Sequence, residues 1–201
     1  MDYPQWTIVR AVFLLAKKIL KPVGYIMTNS GADTSTVLFY GDVNKEVAKE
    51  ASLKNLRFIW NVIANSNKTI NLCVPKSVSN SLAKCLIKAQ RAKKVKIEVA
   101  IHNSKNLDNV QQLVRSDIAV KVINSSRLEH EFLLVDATDD FKGAAALINS
   151  INFENVNYNG DNTIFITEKS MVRNLKKEFD RIWQSVPCLI SDKNVLPKIR
   201  D

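Results

Sequence analysis

The chain has 201 residues, a formal net charge of +9, 46% hydrophobic residues and 24% charged residues. These values are ordinary for one folded domain with a substantial core, and the charge favours an anionic partner, either nucleic acid or an acidic membrane face. Its three cysteines lie far apart and its two histidines accompany no Cys-x-x-Cys pair, which argues against a disulfide framework and a structural zinc site.

The chain begins with an apolar and basic segment. Residues 6–16 are almost all apolar, and three lysines follow within the next five residues. This run is shorter than the ~20 residues that a helix needs to span a bilayer. It is predicted either to lie at a membrane interface, with its basic flank at the surface, or to pack on the domain as an ordinary helix.

The turn-rich residues 28–34 mark the best domain boundary. The predicted organisation is an N-terminal hydrophobic and basic helical segment over 1–33, a folded domain over 34–187 and a C-terminal tail over 188–201.

Within the domain, apolar patterning predicts alternating strands and helices. Strands are expected at 36–40 (the first core strand), 69–74, 95–101, 119–123, 131–136, 144–148 and 162–166. Helices are expected at 53–64, around 78–89, at 107–114 and over a final stretch with an inner stripe from Val172 to Trp183, capped by Thr167 or Ser170. The alternation argues for a sheet with helices on its faces.

Basic residues cluster around the second helix and the strand after it. They are Lys84, Lys88, Arg91, Lys93, Lys94 and Lys96. Such a cluster is usually a solvated helix face. The alternative is a surface that binds nucleic acid or phosphate, although no aromatic residues interleave to stack bases.

Several motifs of the second half follow one another in a familiar order. A strand ends in an acid, a turn and a Glu-Asn pair follow, and a helix closes the series, at Asp136, Gly143, Glu154-Asn155, Glu178-Phe179 and Trp183. This order resembles the phospholipase D superfamily, and most of all its small single-motif animal members, the Zucchini or mitochondrial cardiolipin hydrolase group. The resemblance implies an α/β fold with a mixed sheet flanked by helices on both faces, as a single domain with an N-terminal anchor helix.

The family motif reads His-x-Lys-x-x-x-x-Asp. In the family, one histidine attacks phosphorus, a second histidine protonates the leaving oxygen, and the lysines hold the phosphoryl charge. If Asp136 is the motif acid, Glu129 stands at the histidine position and Glu131 at the lysine position. The resemblance therefore implies that no catalytic group is intact. It would allow a small zinc-binding insertion after the first strand, but residues 41–51 contain no cysteine or histidine, so no metal and no cofactor are expected.

One histidine remains beside the motif, because His130 lies one residue from Glu129. Side chains on a strand alternate between faces, so His130 shares a face with Phe132 and not with Glu131. A bulge could re-aim the imidazole into the groove. His130 is therefore the residue that could take the place of the missing motif histidine in catalysis.

The first hypothesis is a catalytically inactive relative that acts as a scaffold or binding module. The resemblance implies the cytosolic face of the mitochondrial outer membrane, piRNA biogenesis in germ cells or mitochondrial lipid biology, and a homodimer or a heterodimer with an active relative. Single-stranded RNA and the anionic mitochondrial membrane are its expected ligands. The second hypothesis is an active phosphodiesterase, a single-strand endoribonuclease or cardiolipin hydrolase, that uses the displaced His130 helped by Asp136 or a nearby lysine. A third is a basic membrane-surface protein with no nucleic-acid role.

Overall fold

The computed structural model describes residues 33–40, 45–102, 107–123, 130–149, 151 and 162–185. The expected N-terminal segment up to residue 32, Glu129, the Glu154-Asn155 pair and the tail 188–201 lie outside these residues.

Seven strands and four helices form within the described residues. The strands are β1 (Ser35–Phe39), β2 (Thr69–Val74), β3 (Lys96–His102), β4 (Ala119–Ile123), β5 (Phe132–Val135), β6 (Ala145–Ile148) and β7 (Asn162–Ile166). The helices are α1 (Lys45–Ala64), α2 (Asn80–Lys93), α3 (Leu107–Val114) and α4 (Lys169–Gln184).

The strands build one mixed sheet in the order β1-β7-β6-β5-β2-β3-β4. Strands β2, β3 and β4 are parallel, whereas β5, β6, β7 and β1 pair antiparallel. The parallel strands are connected by helices, as parallel pairing requires. This sheet confirms the α/β fold expected from the sequence.

Each face of the sheet has its own apolar core. Alternation along β2 directs Ile70, Leu72 and Val74 into the larger core, which also contains buried residues of α1, α2 and α3. Cys73 points to the other face, where the smaller core includes buried residues of α4 such as Phe179. The two layers confirm that helices flank both faces.

Strand β1 corrects one expectation, because it lies at the edge of the sheet and not in its core. It pairs only with β7 among the described strands. Its Val37 and Phe39 side chains are 44% and 67% exposed. Apolar, β-branched composition predicted the strand but carries no information about its place in the sheet order.

Two helix boundaries also differ from the sequence prediction. Helix α1 begins at Lys45, eight residues before the predicted start at 53, because its first turns are rich in Lys, Glu and Ala, which favour helix without an apolar stripe. Helix α4 has Glu168 as its N-cap, with no side-chain cap bond. Thr167 instead hydrogen-bonds Thr34, and the Ser170 hydroxyl donates to the Glu168 carboxylate.

No helix in the described part of the chain combines the length and apolar character required to cross a bilayer.

Candidate functional site

The register of the sheet places the two parts of the candidate motif at opposite ends of β5. Cys73 near the end of β2 pairs with Phe132 at the start of β5, and Ile70 pairs with Val135. We call the end that holds Cys73, His130 and Glu131 the motif end. The end that holds Thr69 and Asp136 is the far end.

Asp136 at the far end ties β5 to the chain that enters β2. Its carboxylate is buried and accepts backbone N–H groups from Asn67 at 3.0 Å, Lys68 at 2.7 Å and Thr69 at 3.1 Å. Its own N–H donates to the Thr69 carbonyl at 2.8 Å. Asp136 adopts a left-handed conformation with φ of 51°, which an aspartate tolerates better than most residues.

Asp136 is too far from His130 to act in the same reaction. Asp136 lies five positions after Glu131, which at ~3.3 Å per residue is roughly 16 Å along the strand. The sequence hypothesis that Asp136 helps a re-aimed His130 is therefore wrong. Its carboxylate holds two strands together.

Glu131 at the motif end also bonds to backbone. One carboxylate oxygen accepts the N–H of buried Ile151 at 2.8 Å, and the Glu131 carbonyl accepts the N–H of Asn149 at 2.9 Å. The half-buried glutamate thus anchors the start of β5 to the chain that leaves β6.

His130 contacts helix α4. Its Nε2 lies 3.7 Å from Glu178 Oε1, and the imidazole is 59% exposed. Glu178 also accepts two hydrogen bonds from the Arg181 guanidinium, at 2.7 and 2.8 Å. Those bonds lower the pKa of Glu178, and the charges of Arg181 and His130 lower it further. His130 therefore faces the Glu178 carboxylate, which is already paired with Arg181. The Glu131 carboxylate bonds the Ile151 amide, so His130 and Glu131 contact different parts of the chain.

The Cys73 thiol at the motif end lies near two carboxylates. Burial raises the pKa of Cys73 to about 12, and the negative charges of Glu178 and Glu131 raise it further. A thiol with this pKa stays protonated at neutral pH and is a poor nucleophile. No group of three or more His, Cys, Asp or Glu side chains in the described residues is arranged to hold a metal ion.

The structure divides the six basic residues of the sequence prediction. Lys84, Lys88 and Arg91 lie on the exposed side of α2. Lys96 extends from the start of β3 and pairs with Glu98 at 2.7 Å. Since Glu98 also binds Asn71, on the α4 side of the sheet, Lys96 belongs to the opposite face. The six residues do not form one surface.

The C-terminal end of α2 places the remaining two lysines at the far end of the sheet, where β3 begins. Lys93 Nζ donates to the carbonyl of Ser66 at 3.2 Å, and Lys94 is the left-handed C-cap of the helix. The basic cluster therefore extends away from the motif end, and it does not line a groove around His130.

The Glu178-Phe179 to Trp183 segment of α4 forms a packed unit. Phe179 is fully buried and stacks on Trp183 with ring centroids 5.6 Å apart. Lys121 on β4 donates to the Trp183 carbonyl at 2.6 Å, and its ammonium lies 4.7 Å from the indole ring centroid. Sequence reasoning missed this buried lysine, because no spacing connects β4 with the end of α4.

A family comparison agrees with this architecture. Residues 59–183, more than half of the chain, match the model of the family described as "Cardiolipin synthase, PLD-like domain". The chain belongs to the phospholipase D-like family. The match runs from residue 59, within α1, to residue 183, near the end of α4, and includes both ends of β5.

Solved structures share the PLD-like fold at low identity. A phospholipase D family member, Nuc from Salmonella typhimurium, is 12% identical with a TM-score of 0.58, over 76% of this chain and 95% of that chain. NucT from Helicobacter pylori is 9% identical with a TM-score of 0.57, over 77% and 98% of the two chains. Phosphatidylserine synthase from Haemophilus influenzae is 12% identical with a TM-score of 0.54, over 94% and 48%. No curated protein matches the sequence.

In a PLD-like chain, the question for each histidine is whether it begins a His-x-Lys sequence. The chain has two, and His130 is followed two residues later by Phe132, whereas His102 is followed by Ser104. Neither histidine thus begins a His-x-Lys sequence. The turn before β6 keeps Gly143, with φ of 73°, but three alanines follow it.

Proposed function

We propose that this PLD-like chain is catalytically inactive and acts as a scaffold or binding module. The observation that carries the proposal is that neither histidine begins a His-x-Lys sequence and that the half-buried Glu131 carboxylate stands at the motif end, bound to the Ile151 amide. Glu129 and Glu131 are proposed to occupy the histidine and lysine positions of the family motif. A phosphodiester approaching these groups meets like charge.

The magnitude of the repulsion supports inactivity. Two unit charges ~4 Å apart interact by about 4 kcal/mol at an effective dielectric constant of ~20. A site that replaces a cationic clamp with carboxylates changes attraction into repulsion of this size. Glu131 is also engaged with the Ile151 amide, so it cannot turn away without leaving a buried N–H unpaired.

One observation favours the second candidate function, an active phosphodiesterase. His130 Nε2 lies 3.7 Å from Glu178, and a carboxylate beside an imidazole is an arrangement that general acid–base catalysts use. The Glu178 charge is shared with Arg181, and the family-like lysine two residues after the histidine is replaced by Phe132. We therefore propose that His130 has no catalytic role.

The setting is proposed from the family resemblance. The N-terminal apolar and basic residues and the net charge of +9 support a place on the anionic mitochondrial outer membrane, with the domain in the cytosol and a role in piRNA biogenesis. Pairing with a second copy, or with an active relative whose activity it lowers, is part of this proposal. Cell fractionation of the full chain beside a variant with Lys17, Lys18 and Lys21 changed to glutamine tests the membrane part, because loss of the basic flank should release the protein.

A turnover assay tests the catalytic part of the proposal. The purified chain is incubated with end-labelled single-stranded RNA and, separately, with cardiolipin vesicles, beside its His130→Ala variant and an active family nuclease as positive control. We expect no product above the level of the variant with either substrate. Turnover that His130→Ala abolishes would establish the active phosphodiesterase instead.

A further inference from the structure

The outer side of strand β1 presents backbone groups that pair with no strand among the described residues. Thr167 N–H donates to the Thr34 carbonyl at 2.9 Å, and residues alternate in direction along an antiparallel ladder. Thr36 and Leu38 therefore bond toward β7, and Ser35, Val37 and Phe39 direct their N–H and C=O groups away from it. Among the described residues no strand lies on that outer side.

The side chains of β1 do not protect this edge. Native proteins protect edge strands with charged residues, prolines or bulges, and the sequence Ser35–Phe39 contains no charge and no proline. Val37 and Phe39 are two of the four large hydrophobic side chains that are exposed in the described residues. Such an edge favours pairing with another strand.

We propose that β1 pairs antiparallel with β1 of a second copy of this chain, about a two-fold axis at Val37. The pairing satisfies donors and acceptors by symmetry, because the outward N–H and C=O of Val37 bond their counterparts in the partner. Phe39 then lies opposite the partner's Ser35, so a large side chain packs against a small one. The Phe39 carbonyl, which accepts from Asn55 Nδ2 at 2.8 Å, keeps its second lone pair for the partner.

A second copy fits this edge better than an unrelated strand does. Val37 of one copy lies opposite Val37 of the other across the two-fold axis. The exposed side chains of Val37 and Phe39 are both removed from water when the two strands pair. Two five-residue strands form a contact smaller than the ~1,200–2,000 Å² of a stable interface, so we expect a dimer that forms at high protein concentration. The interface is distinct from a dimer across the motif end, and it does not depend on whether the chain is catalytic.

Disulfide trapping tests the position of the axis. In a hydrogen-bonded antiparallel pair the two Cα atoms lie about 5.5 Å apart, which a disulfide can bridge. Val37→Cys should therefore form a covalent dimer under mild oxidation. Phe39→Cys is the matched control on the same strand, because the two copies of position 39 lie four residues, or roughly 13 Å, apart in this register.

Full-length wild type, Val37→Cys, Phe39→Cys and Met171→Cys are compared on non-reducing gels. Cys188 is changed to serine in all four chains, and the chain without an introduced cysteine sets the background. Burial raises the pKa of the two remaining native thiols, Cys73 and Cys85, to about 12, so both react slowly. We expect Val37→Cys to form dimer about tenfold faster than either control, because pairing raises the effective concentration of its thiol. Equal rates for Val37→Cys and Phe39→Cys would overturn the proposed axis.

Sedimentation equilibrium gives a second test without an introduced thiol. Wild type should dimerise with rising concentration, Val37→Lys should stay monomeric because two lysines would face each other, and Met171→Lys should behave as wild type. Mixing Val37→Lys with Val37→Glu should restore the dimer. A dimer that Val37→Lys leaves unchanged, or a wild-type chain that is monomeric throughout, would contradict the proposal.

Discussion

Carboxylates stand at both ends of strand β5, and their surroundings differ. Asp136 at the far end is buried and accepts three backbone N–H groups, whereas Glu131 and Glu178 at the motif end are partly exposed. The first carboxylate holds β5 against the chain that enters β2. Glu131 accepts the Ile151 amide, and Glu178 pairs with the Arg181 guanidinium and lies beside His130. The comparison indicates that Asp136 has a structural role where β5 meets the chain that enters β2, and that the proposed loss of catalysis concerns the motif end alone.

The largest expected effect is at the far end. Asp136→Ala removes the acceptor of three N–H groups and places alanine at φ of 51°, so we expect a loss of roughly 3–5 kcal/mol in the free energy of unfolding. Asp136→Asn tolerates the same backbone conformation and keeps one acceptor oxygen, so it should cost about half as much. Urea unfolding followed by circular dichroism measures both.

The exposed Asp139 is the matched control for Asp136, because it lies in the same turn without this role. Asp139→Asn should leave the urea midpoint unchanged. If Asp136→Ala were no more destabilising than Asp139→Asn, the claim that the Asp136 carboxylate holds β5 to the chain that enters β2 would be wrong.

The next prediction separates the hydrogen bond that Glu131 accepts from the effect of its negative charge. Glu131→Ala leaves the buried Ile151 N–H without its acceptor and should cost about 1–2 kcal/mol. Glu131→Gln keeps an oxygen at that position and should cost less than ~0.5 kcal/mol while removing one negative charge. Equal losses for both variants would mean that the charge, and not the hydrogen bond, matters for folding. Urea unfolding of the two variants makes the comparison.

The smallest effect concerns Glu178 and its pH dependence. Its pKa is lowered in the folded chain from the ordinary 4.5, chiefly by the hydrogen bonds from Arg181. A depressed carboxyl pKa contributes stability above the unfolded pKa and loses it as pH falls through the folded pKa. Glu178→Gln should therefore be slightly less stable than wild type at pH 7, and the difference should shrink below about pH 4.5. A difference that stays constant from pH 7 to pH 3 would contradict the ionic role.

Sequence patterning predicted most of the fold but little of the site. The strand 119–123, the strand 162–166 and the helix 107–114 coincide with β4, β7 and α3, because buried apolar residues impose a period that sequence reveals. The exposed placement of β1 and the early start of α1 were missed, since neither depends on an apolar stripe.

The contacts of the site were beyond sequence reasoning because they join distant positions. The pairing of His130 with Glu178 and the bonds from residues 67–69 to Asp136 connect elements that only the sheet brings together. The six basic residues are close in sequence, yet the strand alternation of β3 places Lys96 on the other face. The family resemblance gave the order of the motif residues along the chain. The distance between the two ends of β5 could be estimated only once the pairing of β5 with β2 was known.

The central claim is that the imidazoles of this PLD-like chain carry no phosphoryl group during any reaction. The most direct measurement is mass spectrometry of the alkaline-quenched chain after incubation with a phosphodiester substrate, with an active family nuclease treated in parallel. We predict a phosphorylated histidine in the nuclease and none at His130 or His102. A phosphorylated His130 that forms and decays during turnover would contradict the account.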